Sequence, residues 1–94
     1  MSEISVRCSA SAGGWLGSVT VTDGGSTRSY EVRVSAAELT RFAPGATEPT
    51  DLVRRSFEFL LARESKESIL ATFDLSVIGR YFPEFERTIR TGTR

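Results

Sequence analysis

Few residues in this 94-residue chain could do chemistry. Glu64 and Glu67 stand three apart, a spacing that would place two carboxylates on one face of a continuous helix and offer a divalent cation two oxygen ligands. Two ligands are too few for a metal site. The polar run RESKES around them, with Ser65 suited to capping a new helix, reads instead as a solvated turn between helices. Ser65 beside Lys66 has the composition of a serine–lysine dyad, but adjacent helical residues do not face each other, so the amine is in no position to take the serine proton. Cys8 is the sole thiol and alternates in phase with Ile4 and Val6, which marks it as a small buried hydrophobe rather than a nucleophile. Histidine is absent, which removes the commonest general base, the usual triads and every His-containing metal site. Gly13-Gly14 and Gly24-Gly25 lack the spacing of a phosphate loop and precede strands, so we read them as turns. We expect no catalytic residue, no metal and no cofactor.

One cluster is denser than a core requires: Arg80-Tyr81-Phe82-Pro83-Glu84-Phe85-Glu86. Several aromatics beside an arginine have the composition of an interface hot spot, against the competing reading that Phe82 and Phe85 close the core. Pro83 interrupts the helix between the two rings. Phe82 continues the stripe of Leu75 and Ile78 and is expected inside. Phe85, paired at i,i+4 with Ile89, is expected nearer the surface. Arg80, Tyr81, Phe85 and Ile89 are therefore the candidate partner-binding residues. Trp15 invites the same two readings and is assigned to the core.

The elements that position this cluster can be read from hydrophobic periodicity. Ile4, Val6 and Cys8 alternate with polar neighbours as a first strand, and SAGG at 11–14 supplies a turn. Trp15, Gly17, Val19 and Val21 then share one face of a second strand, and Asp23-Gly24-Gly25-Ser26 is a hairpin signal. Tyr30, Val32 and Val34 mark a third strand. Ser35-Ala36-Ala37-Glu38 matches the capping box, opening a short helix with Leu39 and Phe42 inward that ends at Ala43 before Pro44 and Gly45. Leu52, Val53, Phe57, Leu60 and Leu61 form a broad helical stripe, with Thr50 as its cap and Asp51–Arg55 as an i,i+4 ion pair. A second short helix is expected through Ile69, Leu70 and Phe73, and another from Asp74 through Leu75, Ile78 and Phe82. The expected fold is a single α+β domain, residues 1–94: a three-stranded antiparallel meander without parallel strands, covered on one face by C-terminal helices.

Composition narrows the partners. Formal charge is zero, with twelve basic and twelve acidic residues, so no global field attracts a polyanion and nucleic acid is disfavoured. The basic residues are nearly all arginine; the tail residues Arg87, Arg90 and Arg94 are expected to meet no acid. No apolar run approaches the length that spans a bilayer, and the opening MSEISVRC has neither a basic nor an apolar signal region. With a solitary cysteine, this reads as a cytoplasmic chain.

The run 30–86, above all SFEFLLARESKESIL followed by FDLSVIGRYFPEFE, resembles the C-terminal part of a group of small, uncharacterised bacterial proteins of about this length. The resemblance implies a bacterial protein and carries no activity with it. A hairpin-rich start followed by helices is also similar, in topology alone, to HicB-type antitoxins. The expected function is non-enzymatic: binding another protein, either a second copy or the product of a neighbouring gene. The alternatives are an antitoxin-like or nucleic-acid-associated regulator using its arginines, and a small enzyme using arginine and carboxylates.

Overall fold

The structure is a computed structural model and describes residues 3–91. Its first half follows the period-two pattern. Strands β1 (Glu3–Ser11), β2 (Gly14–Asp23) and β3 (Ser26–Ser35) pair antiparallel in sequence order, with Val6 opposite Val19 and Val19 opposite Tyr30. Val19, Val21, Tyr30, Val32 and Val34 are buried on one face, whereas Ser5, Arg7, Ser18, Ser29 and Glu31 are exposed on the other. The turns use glycine where the backbone enters the left-handed region, at Gly13 (φ 76°), Gly24 (φ 62°) and Gly25 (φ 83°).

Helix α1 (Ala36–Phe42) begins at the capping box: Glu38 N–H donates to Ser35 Oγ at 3.0 Å and Ser35 N–H to Glu38 Oε1 at 2.8 Å. Leu39 and Phe42 are buried and Ala43 is the C-cap. Helix α2 (Thr50–Leu61) carries the expected stripe, with Asp51 and Arg55 paired at 2.8 Å. Its start differs from expectation. Pro49 is the N-cap and makes no side-chain cap bond, while Thr50 is already helical. The carboxylate of Glu48 accepts the Thr50 N–H at 2.9 Å, together with the Thr50 hydroxyl. A charged acceptor at that point also meets the positive end of the helix dipole.

The main correction lies between residues 65 and 76. The expected helix through Ile69, Leu70 and Phe73 is instead a single 3₁₀ turn at Lys66–Ser68 and a short strand β4 (Thr72–Asp74). That strand pairs parallel with β3, setting Phe73 beside Val32, so the sheet is four-stranded and mixed, in the order β1-β2-β3-β4. The expected three-stranded, wholly antiparallel sheet is thus only its N-terminal portion. The helical connection between β3 and β4 satisfies the long crossover that parallel pairing demands. Asp74 ends β4 and binds Arg33 at 2.6 Å rather than capping a helix. Helices α3 (Val77–Tyr81) and α4 (Phe85–Thr91) are the last of the described elements, with the break between them around Pro83 as expected. No helix among the described residues is long and apolar enough to cross a membrane.

The apolar arc of α2 spans from Phe57 to Phe59. Phe57, fully buried, meets Tyr30 of the sheet at 5.0 Å between ring centroids and Phe73 of β4 at 6.1 Å. At the other end Phe59 lies 5.2 Å from Phe85 of α4 and 5.8 Å from Phe82. The helix is therefore wedged between the sheet and the terminal helices. Ser56, buried mid-arc, is satisfied by donating to Leu52 O at 2.8 Å.

Where β1 turns into β2, a Cβ on Gly14 would stand 2.1 Å from the carbonyl oxygen of Val34, and Gly13 O accepts the Ala36 N–H that starts α1. Neither group can retreat without breaking the sheet or the helix start. Gly14→Ala is expected to destabilise the fold by about 1–3 kcal/mol through overpacking. Gly79→Ala, which meets nothing within 4 Å, should leave it close to unchanged. Denaturant titration of the two variants measures the difference.

Candidate functional site

The structure separates the four residues predicted to bind a partner. Arg80 and Tyr81 are exposed, Tyr81 at 68%. Phe85 is fully buried and Ile89 is 3% exposed. The expectation that Phe85 lies nearer the surface is corrected. The break at Pro83 restarts the helix at Phe85 itself, which turns that ring inward against Phe42, 5.4 Å away, and against Phe59. Phe82 is the ring left half-buried, edge-on to Phe59. The C-terminal turn is held from outside by arginines: Arg55 Nη1 donates to Ile89 O at 2.9 Å, and Arg63 stacks over Phe59 at 3.6 Å while binding Glu84 at 3.3 Å.

Beside Phe82 the surface opens into an apolar groove of about 310 Å³. Leu60 from the end of α2, Ile69 from the approach to β4, Phe73 from β4 itself and Ile78 from α3 form its buried floor. Leu70 (52% exposed) and Tyr81, the large exposed hydrophobic side chains among the described residues, stand at its margin, and Glu64 and Ser68 supply polar rim atoms. The groove exists because residues 62–76 do not continue as helix. The chain leaves α2, makes the 3₁₀ turn and enters β4, so a channel remains between that path and α3. Tyr81 is among the residues singled out from the sequence and Leu70 is not, its one sequence signal being a large aliphatic residue between Ile69 and Phe73, which are both buried.

The polar candidates are placed as follows. Glu67 turns to Lys66 at 3.1 Å and away from Glu64, and Ser65 Oγ lies 3.1 Å from Ser68 Oγ. Among the described residues no group of three or more His, Cys, Asp or Glu could hold a metal ion. Lys66 is buried, contrary to its reading as part of a solvated turn: its Nζ donates to Asp23 O at 2.9 Å, and its carbonyl accepts the Tyr30 hydroxyl at 2.5 Å. Burial pushes the Tyr30 phenol above its ordinary pKa and so keeps that donor protonated. Arg87 and Arg90 do not project free of other groups; Arg90 approaches Glu86 at 3.6 Å, and Arg94 lies outside the described residues. Trp15 is half-buried against the core. No family model, curated protein or solved structure shows significant similarity to this chain.

Two measurements follow from these placements. Phe85→Ala should cost about 3–5 kcal/mol, and Phe82→Ala, removing a ring that is partly exposed, clearly less; thermal or chemical denaturation ranks them. The Cys8 thiol is pushed above its usual pKa, first by burial and further by Glu48, with the Thr50 hydrogen bond opposing. A raised pKa means less thiolate at a given pH, so alkylation at pH 8 should be slower for Cys8 in the folded chain than in the urea-unfolded chain.

Proposed function

We propose that the chain is a non-enzymatic protein-interaction module whose groove between the end of α2, β4 and α3 receives an apolar segment of a partner protein. The observation that carries this reading is the exposure of Leu70 and Tyr81 beside a cavity floored by Leu60, Ile69, Phe73 and Ile78. A single exposed hydrophobic residue needs no explanation, but two at the margin of one concave apolar surface have the composition and shape of a hot-spot pocket. The volume, about 310 Å³, accommodates a few side chains of a docked segment rather than a large cofactor.

The enzymatic reading finds little support here, since the polar groups of the groove, Glu64, Ser68 and Tyr81, are not joined in an acid–base or nucleophile pair by any hydrogen bond. Nucleic acid is the less favoured partner, because Arg33, Arg41, Arg55, Arg63 and Arg90 are engaged with carboxylates of the same chain. A bacterial cytoplasmic setting is part of the same proposal, made on the resemblance of residues 30–86 to small bacterial proteins and on the solitary thiol.

Leu70→Glu and Tyr81→Ser replace exposed side chains, so the melting temperature should stay within a few degrees of wild type. Each should weaken partner binding by about tenfold or more if these residues anchor the contact. Pull-down from a bacterial host, with a photo-crosslinking residue at position 70 to identify the bound segment, tests this. Unchanged recovery of the cross-linked partner with the Leu70→Glu/Tyr81→Ser double variant would remove the groove from the account.

A further inference from the structure

We propose that the chain also self-associates through the free edge of β1, two copies pairing antiparallel about Ser5 so that their sheets become one. The ladder itself shows which backbone groups that edge offers. Glu31 N–H donates to Ala71 O at 2.7 Å, and Arg33 O accepts from Leu75 N–H at 2.9 Å. Odd-numbered residues of β3 therefore turn their backbone groups toward β4, and even-numbered ones toward β2. In an antiparallel pair, directly opposite residues alternate between bonded and non-bonded. The bonds between β3 and β2 then run through Tyr30–Val19 and Val32–Gly17, and those between β2 and β1 through Thr20–Ser5 and Ser18–Arg7. What remains pointing outward on β1 is the N–H and C=O of Ile4, Val6 and Cys8. A contact from outside the sheet agrees with this parity: Arg54 Nη1 donates to Ile4 O at 2.6 Å.

A strand of nine residues with such an edge is a template for further pairing, and its side chains select the occupant and register. Glu3, Ser5 and Arg7 lie on the exposed face of the sheet, while Ile4 and Val6 lie half-buried on the core face. Pairing about Ser5 sets Glu3 of each copy opposite Arg7 of the other, and Ile4 opposite Val6. Opposite charges and β-branched side chains thus meet twice each, which is the arrangement cross-strand pairs favour. Centring the pair on Arg7 would stack two guanidinium groups, and centring it on Glu3 two carboxylates. Centres on Ile4 or Val6 leave these charges opposite neutral residues. Arg54 leaves the Ile4 carbonyl oxygen a second lone pair with which to accept an N–H, and its long side chain can swing aside as the second strand arrives. The opposite edge is broken into pieces, the three residues of β4 and the stretches of β3 that β4 does not cover, so it offers a shorter template.

Sedimentation equilibrium of the full chain tests the register by charge exchange. Wild type is expected as a reversible dimer. Glu3→Arg and Arg7→Glu, each turning two attractive pairs into two repulsive ones, should weaken dimerisation by about tenfold or more. The double exchange, Glu3→Arg with Arg7→Glu, should restore it to near wild type. All these side chains are exposed, so the monomer fold is kept, which circular dichroism checks. In a Cys8→Ser background, Ser5→Cys should form an intermolecular disulfide on mild oxidation, since a non-bonded antiparallel pair brings Cα atoms to about 4.5 Å. Ser9→Cys should not. A wild-type chain that stays monomeric at every attainable concentration, single exchanges without effect, or equal cross-linking at positions 5 and 9 would each overturn the proposal.

Discussion

An apolar arc too wide for one flat surface has to be covered from two directions, and in α2 that requirement organises the molecule. Leu52, Val53, Ser56, Phe57, Phe59 and Leu60 are all buried along twelve residues. The sheet meets the side that carries Phe57, through Tyr30, whereas Phe59, about 160° away around the helix, meets Phe82 and Phe85. Phe42 of α1, Phe82 and Phe85 supply the second cover through ring contacts on both sides of Phe85. Burial of these rings together with the aliphatic side chains around them is the main favourable contribution to the fold.

Polar contacts fix the direction in which these layers meet. Glu38 serves two helix starts, since one oxygen completes the capping box of α1 and the other accepts the Ser76 N–H at the entry to α3. Lys66 joins the turn after α2 to the β2–β3 hairpin through Asp23 O, while its own carbonyl receives Tyr30. A buried ammonium held by a carbonyl and a carboxylate is costly to misplace, so it specifies position more than it adds stability. Arg54, Arg55 and Arg63 each donate to a backbone carbonyl, of Ile4, Ile89 and Phe59 respectively. Arginine suits this use because its several donors let it reach a carboxylate and a carbonyl together. The exposed ion pairs around the helices contribute little each.

Legibility in the sequence follows the length of the repeating signal. Strands of nine or ten residues and the α2 stripe give several turns of a period, and the Ser35–Glu38 box is a local bond pattern written in adjacent residues. β4 gives one period only, Thr72-Phe73-Asp74, and Asp74 reads equally as a helix cap; its pairing with Val32 and Arg33 is a tertiary fact with no local mark. The groove inherits that blindness through one wall, Ile69 to Phe73, whose apolar spacing reads as helix. Tyr81 was visible as a large ring beside an arginine. Phe85 was misplaced because the restart of the helix after Pro83 sets its direction, and that depends on Phe42 and Phe59 having room for it.

The parallel pairing of β4 carries a consequence for synthesis on the ribosome. β1, β2 and β3 are joined by tight turns and can assemble as soon as residue 35 has emerged, but Arg33 and Asp74 are 41 residues apart. Until that distance has been translated, the nascent sheet has an unpaired β3 edge and an uncovered apolar face of Val19, Val21, Tyr30, Val32 and Val34. Such a surface is the kind that chaperones hold and that neighbouring nascent chains capture. The polar outer face and the charged Glu31 and Arg33 along the waiting edge are of the kind that disfavours such capture, and the interval closes once Phe73 docks beside Val32.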